Sequence, residues 1–83
     1  MNELPIVEIL WIDSMTHSGW RDYEEALEKK VASCRSVGYI ISKTDDTVTI
    51  AQNIAEIEEQ VSEITCIPVV AIQVIVELER INE

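Results

Sequence analysis

Phenylalanine is absent from this sequence, glycine, proline and cysteine occur twice each, and histidine occurs once. So little Gly and Pro excludes a collagen-like or low-complexity chain. The two cysteines, Cys34 and Cys66, have neither a CxxC spacing nor a nearby histidine. No zinc site can be assembled from them, and the cytosolic reading predicts them reduced. Bases are also scarce: sixteen Asp and Glu against six Lys and Arg give a formal charge of −10. That balance opposes attraction to phosphate backbones and anionic lipid, so direct nucleic-acid or membrane binding is not expected. No uncharged run approaches the ~18 residues of a membrane span. Residues 1–5 lack the basic and apolar regions of a signal peptide, which predicts a cytoplasmic protein.

What is present is a chain of 83 residues and 9.4 kDa, 47% hydrophobic and 27% charged. It is apolar enough to fold and long enough for one small core, so residues 1–83 are read as a single acidic domain. The charge is uneven. Residues 1–44 carry seven acids and five bases, whereas 45–83 carry nine acids and one base, Arg80. An acidic face of this kind admits a DNA-mimic reading, although acidic surfaces more often serve solubility.

The segment 5–13, PIVEILWID, is β-branched, aromatic and apolar on both parities, which predicts a central strand. Asp22 and Glu25 have capping-box spacing, and Tyr23, Ala26, Leu27 and Val31 form one stripe. A helix over about 22–32, covering a sheet, is expected. From residue 33 the period becomes two, and Lys43-Thr44-Asp45-Asp46 has turn chemistry, so 35–52 reads as a hairpin with a four-residue loop. Gly38, in mid-strand, admits a bulge or a close backbone approach. Residues 54–61 fit a short helix or a long loop. Residues 62–67 read as a fourth strand and 71–80 as a closing strand, with Ile72, Val74, Val76 and Leu78 on its buried face.

The expected architecture is mostly β: a small five-stranded, SH3-like, partly open barrel with a helix after the first strand. The alternative is an α+β ferredoxin-like sandwich, kept open by the second helix near 54–61. The text Trp11-Ile12-Asp13-Ser14, Gly19-Trp20, Cys34-Arg35-Ser36-Val37-Gly38-Tyr39, Val48-Thr49-Ile50-Ala51-Gln52 and Ile67-Pro68 spans almost the whole chain. It resembles small uncharacterised single-domain proteins encoded in phages and prophages of Gram-positive bacteria. That resemblance implies phage ancestry and a bacterial host cytoplasm, and it implies no particular chemistry.

Polar functionality is densest in residues 13–20, which hold Asp13, three hydroxyls including Ser14 and Thr16, the single His17, and Trp20. A Ser–His–Asp hydrolase can be spelled from these letters, but triad members normally come from separate elements in a fixed frame. No enzyme and no cofactor are therefore expected. On the bland reading, Asp13, Ser14 and Thr16 satisfy turn backbone and Trp20 seals one end of the barrel. Trp11 and Tyr39, on neighbouring strands, are expected mainly as core fillers, with an aromatic platform as the other use.

Two functions of different class follow. The first is a non-catalytic module that engages a host or phage protein, including as an inhibitor. The second is a binder of a small anionic, nucleotide-like signalling molecule, with Arg21, Lys29, Lys30 and Arg35 supplying phosphate contacts. The weakly indicated binding residues are Asp13, Ser14, Thr16, His17, Trp20, Arg21, Arg35 and Tyr39. A homo-oligomer is left open.

Overall fold

A computed structural model describes residues 3–81. Five antiparallel strands, β1 (Ile6–Asp13), β2 (Ala32–Lys43), β3 (Thr47–Ala55), β4 (Gln60–Pro68) and β5 (Ile72–Leu78), form one open sheet in the order β4-β3-β2-β1-β5. A 3-10 turn, Val69–Ala71, joins β4 to β5, and one short helix, α1 (Tyr23–Ala26), lies between β1 and β2. The mostly β expectation holds. The ferredoxin-like alternative does not, because β1 to β4 form a meander with β5 returning beside β1, and nothing helical is layered on the sheet among the described residues.

The parity of β1 sets the two faces. Val7 and Ile9 are buried, and Trp11 shares their side. Val48 and Ile50 from β3 and Ile67 from β4 complete the core, with Ile40, Ala71, Ile72 and Ile75 packed around it. Burial of each such side chain contributes on the order of 1.5–3 kcal/mol, which makes this small cluster the main favourable term. Trp11 is half-buried and its indole N–H donates to Ser36 Oγ at 3.0 Å. Trp11 therefore fills core as expected, and its polar atom is satisfied.

Gly38 explains itself. A Cβ built there would stand 2.8 Å from the Ala51 carbonyl oxygen and 3.2 Å from Ile50 Cβ, both fixed by strand pairing. Close backbone approach, and not a ligand, is what the glycine serves. The β2–β3 turn is three residues, one fewer than expected, and Thr44 organises it: its Oγ1 accepts from Thr47 N at 3.0 Å and Asp46 N at 3.2 Å. The carbonyl of Asp46 accepts from Val69 N at 2.8 Å, tying this turn to the β4–β5 corner.

Four expectations are corrected. Residues 53–61 are not a helix or long loop: β3 runs on to Ala55, a turn follows, and β4 starts at Gln60, with Glu59 at φ 52 closing the reversal. The weak stripe Ile54, Ile57, Val61 misled because Ile54 and Val61 are cross-strand partners. The closing strand is inverted. A register shift opposite Leu10/Trp11 leaves Gln73 without a partner, so Ile75 faces Ile9, while Val74, Val76 and Leu78 lie on the outer face, 46%, 42% and 39% exposed. The expected helix over 22–32 shrinks to the single turn of α1, where Asp22 makes no side-chain cap. Its stripe covers nothing, since every residue from 14 to 31 is exposed.

The molecule is consequently extended. Its radius of gyration is 16.7 Å, against roughly 12 Å for a compact chain of this length. Its accessible surface is 6881 Å², against about 5,000 Å² for a compact chain of its mass.

Gly38→Ala should destabilise the fold by about 1–3 kcal/mol, since the methyl group meets backbone that cannot yield. A urea titration against wild type checks this, with an unchanged midpoint as the contrary result.

Candidate functional site

The segment singled out by its polar letters is an arm, residues 14–31, that leaves the sheet at Asp13 and returns at Ala32, which are register partners. Its single helical turn is too short to persist by propensity, because helix nucleation is costly and no sheet surface covers it. Five large apolar side chains ride on the arm uncovered: Met15 (58% exposed), Trp20 (101%), Tyr23 (79%), Leu27 (68%) and Val31 (58%). The reading in which Trp20 seals the barrel end is therefore overturned.

The polar residues do local work. Asp13 Oδ1 accepts from the backbone N–H of Ser14 at 2.8 Å, a turn-forming bond. Arg21 Nη1 donates to the Trp20 carbonyl at 3.4 Å, and Arg21 and Lys29 flank one carboxylate, Glu25, at 3.9 and 3.8 Å. Such exposed i,i+4 pairs contribute little stability. Thr16 and His17 are exposed. No group of carboxylate, thiol and imidazole side chains suited to a metal occurs among the described residues.

Two residues expected alongside these lie elsewhere. Arg35 sits on the outer face of β2, its Nε 3.7 Å from Glu8 Oε2. Tyr39 pairs with Ile6 at the far end of β1 from Asp13, about seven residues and roughly 23 Å away. There it lines a cleft of about 320 Å³ with Leu4, Gln52, Asn53 and Arg80. The platform of Trp11 and Tyr39 is also ruled out: Trp11 opposes Cys34 and Tyr39 opposes Ile6, positions of opposite parity that face opposite sides of the sheet. Cys34 is half-buried, Cys66 is exposed, and both thiols are free.

Sequence reasoning missed Met15, Tyr23, Leu27 and Val31 as surface groups. Their helical spacing is the usual mark of a face packed on a core, and only the path of the chain shows that no core lies beneath. Searches of family models, curated proteins and solved structures return no match to this chain.

Because Trp20 and Leu27 touch so little of the protein, Trp20→Ala and Leu27→Ala should each leave stability within about 0.5 kcal/mol of wild type. Trp11→Ala should cost on the order of 3–5 kcal/mol. Thermal melts of the three variants decide the ranking, and a large loss from Trp20→Ala would contradict the arm's exposure.

Proposed function

We propose that this protein is a non-catalytic interaction module that engages a protein partner through the arm between β1 and β2. The observation that carries the reading is the row Met15, Trp20, Tyr23, Leu27 and Val31, held away from the sheet with no cover in the chain. Five large apolar side chains exposed within one segment are candidates for burial against a partner, and Trp and Tyr are among the side chains most enriched where binding energy concentrates. The extra surface, about 1,900 Å² beyond the compact value, exceeds the ~800 Å² that one side of a standard interface requires.

The sheet acts as the rigid base. The return of β5 beside β1, the 3-10 turn before that last strand and the long β1–β2 excursion support an SH3-like, partly open barrel as the finer description of the fold. The phage or prophage setting, a host or phage protein as partner, an inhibitory outcome and a cytoplasmic location belong to the same reading and rest on the sequence resemblance. Charge also bears on partner choice. The arm carries three bases and four acids, whereas the rest of the chain carries three bases and twelve acids. A partner that contacts the arm is therefore exposed to little of the net repulsion and is free to be neutral or basic.

Immobilised wild-type protein should retain a discrete host or phage protein, identified by mass spectrometry, that a Trp20→Ala/Leu27→Ala variant of equal stability loses. Retention unchanged in that variant, or its loss only in a Thr16→Ala/His17→Ala variant, would place binding elsewhere than on the apolar row. Against DNA, fluorescence anisotropy at physiological salt should show no appreciable binding to duplex or single strand, given the −10 charge.

A further inference from the structure

We infer that residues 22–31 of the arm wind into a full amphipathic helix when the partner binds, and that the partner receives them in an apolar groove with basic groups along one rim. The inference rests on the reading of the arm as the binding segment, and it names how that segment binds and what it fits.

Every local signal in this stretch is helical. Asp22 stands at the N-cap with extended backbone, φ −63 and ψ 146, and Glu25 follows at the capping-box distance. Glu24 and Glu25 lie in the first turn, where the helix dipole favours acids, and Lys29 and Lys30 lie towards the other end, where it favours bases. Glu25 and Lys29 already form an i,i+4 pair at 3.8 Å, and Ala26, Leu27 and Glu28 are strong helix formers. Winding has begun. The N–H groups of Ala26 and Leu27 donate to the carbonyls of Asp22 and Tyr23 at 3.0 and 3.2 Å. It then loosens, because Glu28 and Lys29 donate to Glu25 and Ala26, only three residues back, and no further turn follows among the described residues. The segment is shorter than the ~12–15 residues at which an isolated helix becomes marginal in water, and the sheet gives it no cover. What the helix lacks is a surface on its apolar side, and a partner that supplies one completes it.

The completed helix specifies the groove. At about 100° per residue, Tyr23, Leu27 and Val31 fall in one row, a turn apart and roughly 12 Å from first to last. Glu24 and Glu28 lie one above the other along one side of that row, and Ala26 and Lys30 lie along the other side. Glu25 and Lys29 fall on the back, where their pair stays in water. Arg21 and Lys29 both serve Glu25, whereas Glu24 and Glu28 have no ion pair among the described residues. Two stacked carboxylates beside an apolar row call for bases on the facing rim of the partner, and the unequal sides fix which way round the helix lies. Anchors at i, i+4 and i+8 on one helix face are the pattern that hydrophobic grooves accept.

The test reads the whole chain by NMR chemical shifts, free and with octyl glucoside micelles, which offer an apolar surface without charge. The free protein should show helical Cα shifts at 23–26 alone, and micelles should extend them over 22–31 while β1 and β2 keep theirs. A helix over all of 22–31 in the free protein, or no gain on micelles, overturns the inference. Against the protein that wild type captures, Lys29→Pro blocks the helix and leaves every apolar side chain in place. It should weaken binding about a hundredfold, and Lys29→Ala by less than about threefold. Should Lys29→Pro fail to fold, Ala26→Gly decides instead, with an expected loss of about fivefold. Glu24→Gln/Glu28→Gln should weaken binding and flatten its dependence on salt. Binding that the helix-blocking variant leaves intact, or a salt dependence that the Gln pair does not change, overturns the inference. Capture that Trp20→Ala/Leu27→Ala abolishes and Lys29→Pro spares counts against the helix alone, whereas a wild type that captures no protein overturns the arm reading on which the inference rests.

Discussion

The fold depends on a single strand that is paired on both sides and buried on one face. β1 holds β2 along one edge and is the only strand that holds β5 along the other, so everything beyond it hangs on its register. Val7 and Ile9 set the inner face, and the other core residues take their places against them. On β2 the same parity requires Gly38, because the inner side at that level is occupied by the carbonyl of Ala51. A strand with apolar residues on both parities suits this position, being half-covered even on its outer face by the flanking strands.

So small a core leaves the chain with little reserve. Five residues form the central cluster, and the surface exceeds that of a compact chain by more than a third. The arm adds little to stability, because its large apolar side chains stay mostly in contact with water on folding. Removing that apolar area from water in an association would be favourable. Outside the arm the acids gather in the turns, Asp45 and Asp46 between β2 and β3 and Glu56, Glu58 and Glu59 between β3 and β4, against four acids within the strands.

The arm and the β5 edge are separate surfaces with separate logic. The edge offers the backbone groups that β1 does not use and the partly exposed Val74 and Val76. The arm offers large aromatic and aliphatic side chains on a short, loosely wound segment, a geometry that adapts to a partner.

How much of this was legible beforehand follows from the range of the forces involved. Period-two alternation, the turn chemistry around Thr44 and the apolar density of 5–13 are local, and they placed the strands and the hairpin because each reports pairing with a near neighbour. Gly38 was marked as a point of close approach for the same reason. The arm's residues were legible as an unusual cluster, and Asp13 and Ser14 as turn formers. What failed were judgements about which side is covered in the arm and in the last strand. A stripe at helical spacing records that one side of a segment is apolar, not that a sheet lies under it, and so Tyr23, Leu27 and Val31 were assigned to a core that the chain does not build there. The pair Ile54 and Val61 sat at helical spacing by coincidence of a hairpin. One unpaired residue, Gln73, reversed the facing of the last strand, since with a side-chain period of two a single extra residue exchanges inside for outside. Sequence by itself determined where β1, the β2–β3 hairpin and the closing strand are extended, but not that β3 and β4 continue through 53–61. Only the tertiary structure decided which faces meet, because burial is a property of the neighbour across the gap and not of the segment that carries the side chains.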